Sequence, residues 1–120
     1  MSDAHAYTPG LHLLADFYGV DEVVLSDGVL LQSALKEAAT ASGATVIASH
    51  FHHFGPQMGV TGVLLLRESH ISIHTWPETG LAVIDIFMCG HAQPKHALAA
   101  LQQKLQPARI VQQSIKRGSP

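Results

Sequence analysis

Val60-Thr61-Gly62-Val63-Leu64-Leu65-Leu66-Arg67-Glu68-Ser69-His70-Ile71-Ser72-Ile73-His74-Thr75 decides the fold. It reads as two strands, Val60 to Leu66 and Ser69 to Thr75, either side of the Glu68-Ser69 bond. Trp76 to Gly80 reads as a turn containing Pro77 and Gly80, and Leu81 to Phe87 as the next strand. Upstream, Gly55-Pro56-Gln57-Met58-Gly59 is a loop, and Thr45 to His53 is a β-branched, alternating strand. Before it, Ser26 or Asp27 caps a helix that runs to about Ser42 and stops at Gly43, with Leu31, Ala34, Leu35 and Ala38 as its apolar stripe. Leu11 to Tyr18 alternates as a first strand, and residues 1–10 read as a polar tail. Pro94 opens a second helix to about Leu105, and Arg109 to Ile115 reads as a last strand. The order is strand, helix, four strands, helix, strand. This predicts one α+β domain over 1–120, a two-layer α/β sandwich with a largely antiparallel sheet and two helices on one face. The other sheet face stays uncovered unless a second subunit packs on it, so a dimer is expected.

Composition supports a globular chain: 47% of residues are hydrophobic and 13% charged. The net charge of −2 comes without a basic stripe, so nucleic-acid binding is not indicated. Neither a Lys/Arg-rich amphipathic stretch nor an apolar run of membrane-spanning length is present. No signal peptide is visible at Met1-Ser2-Asp3-Ala4-His5, and the lone Cys89 has no intrachain disulfide partner. Both point to the cytoplasm.

The chemistry lies around Arg67-Glu68-Ser69-His70-Ile71-Ser72-Ile73-His74-Thr75-Trp76-Pro77-Glu78. A serine follows a carboxylic residue, a histidine stands five residues on, and the only thiol, Cys89, stands twenty residues on. Serine is a weak nucleophile that needs help from its surroundings. Neutral imidazole at His74 suits a general base. Thr61, on the preceding strand, carries a hydroxyl suited to an oxyanion. The Cys89 thiol suits a proton donor, since thiols are mostly protonated at neutral pH.

This segment closely resembles the self-cleavage segment of the prokaryotic S-adenosylmethionine decarboxylase proenzymes, the small, single-domain, pyruvoyl-dependent type. The likeness runs from His12 to Ile115. It includes Leu14-Ala15-Asp16-Phe17-Tyr18, Ser42-Gly43-Ala44-Thr45, Phe51-His52-His53-Phe54 and Val83-Ile84-Asp85-Ile86-Phe87-Met88-Cys89-Gly90. The resemblance implies cleavage between Glu68 and Ser69 into a beta chain, 1–68, and an alpha chain, 69–120. Ser69 is then the precursor of a pyruvoyl group that holds the substrate amine as a Schiff base, replacing pyridoxal phosphate. His74 becomes the processing base, Thr61 a processing support and Cys89 the catalytic proton donor. Phe54, Trp76 and Glu78 fall at substrate-binding positions; aromatic faces suit an adenine ring or a sulfonium cation, and a carboxylate suits ribose hydroxyls. The implied activity is decarboxylation of S-adenosylmethionine, releasing carbon dioxide and supplying the aminopropyl donor for spermidine. The implied assembly is a homodimer of cleaved protomers with sites at the interface.

The chain departs from the family pattern at Arg67, Thr79, Leu81 and Met88, and its loop after Phe54 is one residue longer. These departures leave self-processing intact and bear on the pocket, so the same fold and cofactor acting on L-arginine or L-ornithine is the alternative. The nine histidines open a reading of another class, a metal-binding module that never self-cleaves. His50, His52 and His53 lie together, as do His70 and His74, but no CxxC or HExxH pattern accompanies them, and no metal is expected. His70 and the 50–53 cluster read as pocket-edge or interface residues, and Asp85 as structural.

Overall fold

The computed structural model describes residues 10–118. Six strands form one sheet: β1 (Gly10–Tyr18), β2 (Val46–His53), β3 (Val60–Leu66), β4 (Ser69–Trp76), β5 (Leu81–Met88) and β6 (Arg109–Arg117). Their spatial order is β2-β3-β4-β5-β1-β6, and every neighbouring pair is antiparallel. Three helices accompany them: α1 (Glu22–Leu25), α2 (Gly28–Ser42) and α3 (Pro94–Leu105). The α+β sandwich expected from the sequence is the fold observed. The polar tail expected over 1–10 lies outside the described residues except for Gly10, which opens β1.

Local signals account for the elements. The Asp27 side chain accepts from the Leu30 amide at 3.0 Å and caps α2. Gly43 closes α2 at φ +84°, a left-handed conformation open to glycine without a Cβ clash. Two local readings change. The short α1, capped by Asp21, was not legible in the sequence because a single turn carries no periodicity. Trp76, expected in a turn, is the last residue of β4, and a 3₁₀ turn over Pro77–Thr79 follows it. Pro77, which has no amide hydrogen to continue the ladder, moves the boundary there.

One sheet face is the core. Phe17, Leu64, Ile71, Ile73, Ile84 and Ile86 are fully buried under the helices, against Leu31, Leu35 and Leu101. Each such side chain contributes roughly 1.5–3 kcal/mol of burial. Thr75 is the polar exception on this face. Its hydroxyl donates to the Leu25 carbonyl at 2.7 Å and accepts from the Val60 amide at 2.9 Å, tying α1 to β3 and β4.

No helix among the described residues lies on the opposite face. Because side chains alternate along a strand, it carries Thr61, Val63 and Leu65 of β3, His70, Ser72, His74 and Trp76 of β4, and Val83, Asp85 and Phe87 of β5. Leu65, Val111 and Ile115 remain exposed there. No helix among the described residues is long and apolar enough to cross a membrane.

Candidate active site

The predicted site residues gather in two places on the sheet. The first is the β3–β4 hairpin. Leu66 and Ser69 are cross-strand partners, so Arg67 and Glu68 alone make the connection. Glu68 takes φ +59°, the left-handed region that non-glycine residues rarely enter. A conformation of this kind costs on the order of 1–3 kcal/mol and persists where the surroundings impose it. Cys89, immediately after β5, reaches across to this turn: its thiol donates to the Glu68 carbonyl oxygen at 3.3 Å. Glu68, Ser69 and Cys89 are therefore together, with the carbonyl of the Glu68-Ser69 bond held by the single thiol. Ser69 and Cys89 are half-buried and Glu68 is exposed.

The second place is the far end of β3 and β4. Thr61 and His74 are cross-strand partners, and the Thr61 hydroxyl is hydrogen-bonded to Nδ1 of His74 at 3.2 Å. The His74 ring stacks with Trp76, centroids 6.3 Å apart and planes 28° from parallel. His52 pairs with Thr61 from β2 and meets the Phe54 ring edge-on at 4.5 Å. Phe54 and Trp76 are 55% and 41% exposed, large aromatic faces open to solvent. Glu78, exposed in the 3₁₀ turn, borders a cleft with Glu22, Ser26 and Gln57.

These two groups do not meet within one chain. Five residues of extended strand separate Ser69 from His74, roughly 16 Å at ~3.3 Å per residue. The odd spacing also turns the two side chains to opposite faces of β4. Thr61 is accordingly placed against His74, and the hydrogen-bond donor found on the Glu68 carbonyl is Cys89. The sequence signals a serine, a base and a thiol, but not this partition.

On the open face, His70 and Asp85, expected as a pocket-edge or interface residue and a structural one, join His12 in a polar cluster that the sequence does not reveal. His12 of β1 is hydrogen-bonded through Nε2 to Asp85 of β5, and His70 Nε2 of β4 lies 3.8 Å from the second Asp85 oxygen. Asp85 thus has partners on both neighbouring strands. The signal that finds it is the two-residue period combined with the strand order β4-β5-β1, and the sequence supplies only the period.

Comparison with known proteins gives a consistent result. The family model described as S-adenosylmethionine decarboxylase matches residues 11–118. The S-adenosylmethionine decarboxylase proenzyme of Methanococcus aeolicus is 46% identical over 111 residues, covering 92% of this chain and 94% of that protein. The proenzyme of the same name from Thermotoga maritima is 44% identical over 110 residues, covering 91% and 84%. Among solved structures, the crystal structure of the adenosylmethionine decarboxylase from Aquifex aeolicus superposes with a TM-score of 0.86 at 42% identity, covering 96% of this chain and 95% of that one. With the fold, the family match and relatives over almost the whole length in agreement, the chain belongs to the S-adenosylmethionine decarboxylase family.

Proposed function

We propose that the protein is a precursor that cuts its own backbone between Glu68 and Ser69 and then decarboxylates S-adenosylmethionine. The observation that carries this reading is the Cys89 thiol on the carbonyl of a strained Glu68, next to a serine. A hydrogen bond to that oxygen draws electron density from its carbon and stabilises the charge that develops when Ser69 Oγ attacks. The peptide bond becomes an ester, which releases the left-handed constraint at Glu68. Removal of the Ser69 α proton then expels residues 1–68 as a carboxylate, and hydrolysis of the remaining terminus releases ammonia. The pyruvoyl group left at position 69 supplies an electron sink for loss of carbon dioxide. Cys89, already beside position 69, returns a proton to the substrate α carbon. Phe54 and Trp76 offer ring faces to the adenine and the sulfonium, and Glu78 accepts from ribose hydroxyls. The residues present fit the group: position 69 heads a strand whose neighbour on the hydrogen-bond network is a thiol.

The processing base must come from elsewhere than the Ser69 end of the same chain. His74 is oriented by Thr61, and the face that carries it also exposes Leu65, Val111 and Ile115. A second copy packed on that face about a two-fold axis brings each His74 to the partner's Ser69 end, and both sites are completed at once. We assign the protein as a homodimer on this ground. A thiol that must stay reduced supports a cytoplasmic location. The product, decarboxylated S-adenosylmethionine, is an aminopropyl donor of the kind spermidine synthesis consumes. No relative named above is an arginine or ornithine decarboxylase, and nothing in the site favours those substrates.

The intact mass of denatured, purified protein tests the reading. Two fragments are expected, 1–68 and 69–120, the second lighter by one ammonia than a serine-ended chain. A single uncut mass after long incubation overturns it. The dual use of Cys89 is separable by substitution. Cys89→Ser keeps a donor near Glu68 and is expected to cleave faster than Cys89→Ala. Both variants are expected to lose decarboxylase turnover by roughly 10²–10⁴-fold, the usual worth of a positioned acid. Equal cleavage rates for the two would remove Cys89 from processing.

A further inference from the structure

The polar cluster on the open face has a use that neither processing nor substrate binding explains. Asp85 stands between His12 and His70, on the three adjacent strands β1, β4 and β5. Arg117 of β6 extends the row, with its guanidinium donating to Nδ1 of His12 at 3.0 Å. Guanidinium has no acceptor, so Nδ1 of His12 accepts from Arg117 and its Nε2 is left to meet Asp85. The ligand-type atoms of His12, His70 and Asp85 all lie within 4.8 Å of one another. The row runs Arg117, His12, Asp85, His70, with hydrogen bonds along its first two links and an approach of 3.8 Å at the last.

His70 is the residue this chain grips. Its ring stacks on Phe87, centroids 6.1 Å apart and planes at 30°. The His12 ring meets it edge-on at 6.0 Å, and Asp85 faces its Nε2. His70 is also the residue directly after Ser69. In the uncut chain, the Arg67-Glu68 turn ties the start of β4 to the end of β3. Cleavage removes that tie and makes position 69 a chain end, and chain ends fray unless something holds them.

We propose that His70 and Asp85 anchor the new end of β4, holding position 69 beside Cys89 once the Glu68-Ser69 bond is gone. His12 and Arg117 fix the Asp85 carboxylate that does the holding. This rests on the self-cleavage reading above. Both are positioning residues: they act on position 69 through the strand and touch no reacting atom.

The test compares cut and uncut protein. His70→Ala and Asp85→Asn are each made in the cleavable chain and in a Ser69→Ala chain that stays uncut. Amide hydrogen exchange is followed over the first half of β4, and kcat and KM for S-adenosylmethionine are measured on the cut forms. In cut protein, exchange there is expected to rise roughly tenfold, the scale on which losing one polar contact eases a local opening. In the uncut background it is expected to change less than about twofold, because the turn still holds the strand. Cleavage of both variants still reaches completion, kcat falls about tenfold while KM moves little, and Asp85→Glu recovers most of the loss. Asp85→Asn, which is nearly isosteric, carries the comparison if His70→Ala does not fold. Equal increases in cut and uncut protein would show a general structural role and overturn the anchor, as would no increase in either. An unvaried chain that fails to cut at all, read by intact mass, overturns the processing reading itself and the anchor with it.

Discussion

Replacing Ser69 with alanine is expected to leave one uncut chain of 120 residues with no measurable decarboxylase activity. The substitution removes a single oxygen from a strand residue and leaves the backbone ladder with Leu66 in place. Without that oxygen the acyl shift from the nitrogen to the side chain of residue 69 cannot take place, although the Cys89 thiol still lies on the Glu68 carbonyl. No ester forms, residue 69 keeps its amide nitrogen, and no keto group is made to receive the substrate amine. Loss of the whole electron sink takes away most of the acceleration, at least about 10⁶-fold on the scale typical of enzymes. Intact mass and release of labelled carbon dioxide check both halves of the result. Activity in a wholly uncut Ser69→Ala protein would show that the chemistry runs on another group.

The second large effect is a rescue. His74→Ala alone is expected to slow cleavage by roughly 10²–10⁴-fold, as loss of a general base does. Mixing it with Ser69→Ala, which alone never cuts, is expected to restore cleavage in the mixture. Each mixed dimer then holds one complete site: the serine of the His74→Ala chain facing the histidine of the Ser69→Ala chain. The His74→Ala chain is cut and the Ser69→Ala chain is not, which distinct tags on the two chains reveal by mass. The motive is geometric. Ser69 and His74 lie roughly 16 Å apart along β4, and no rotamer of either closes that span. If the co-expressed pair stays as uncut as the single variants, His74 does not serve a partner's serine and the composite site is wrong.

Much of the fold was legible because its signals are local. The capping Asp27, the stripe of Leu31, Ala34, Leu35 and Ala38, and the stop at Gly43 each bear on residues within a turn or two of one another. The buried Ile71, Ile73, Ile84 and Ile86 follow the two-residue period that a half-buried strand imposes. The single turn of α1 was not legible: it is too short to show a period, and its tie to the sheet, the Thr75 hydroxyl on the Leu25 carbonyl, spans fifty residues. The candidate site divides in the same way. Ser69 after Glu68, His74 and Cys89 are visible as types at fixed spacings. Spacing says nothing of whether a strand keeps two of them apart, and β4, fully extended, does so for Ser69 and His74.

By itself the sequence determined every element longer than a single turn, the order of those elements, the chemical inventory and the family likeness, because these depend on residue type and near neighbours. The tertiary structure alone decided which distant residues touch. It put the Cys89 thiol on the Glu68 carbonyl across 21 positions, and His12 on Asp85 across 73. It also placed His74 away from the serine it was paired with on paper. The physical reason is the strand order. Antiparallel pairing of β4 with β5, and of β5 with β1, aligns side chains whose separation along the chain carries no trace of their contact.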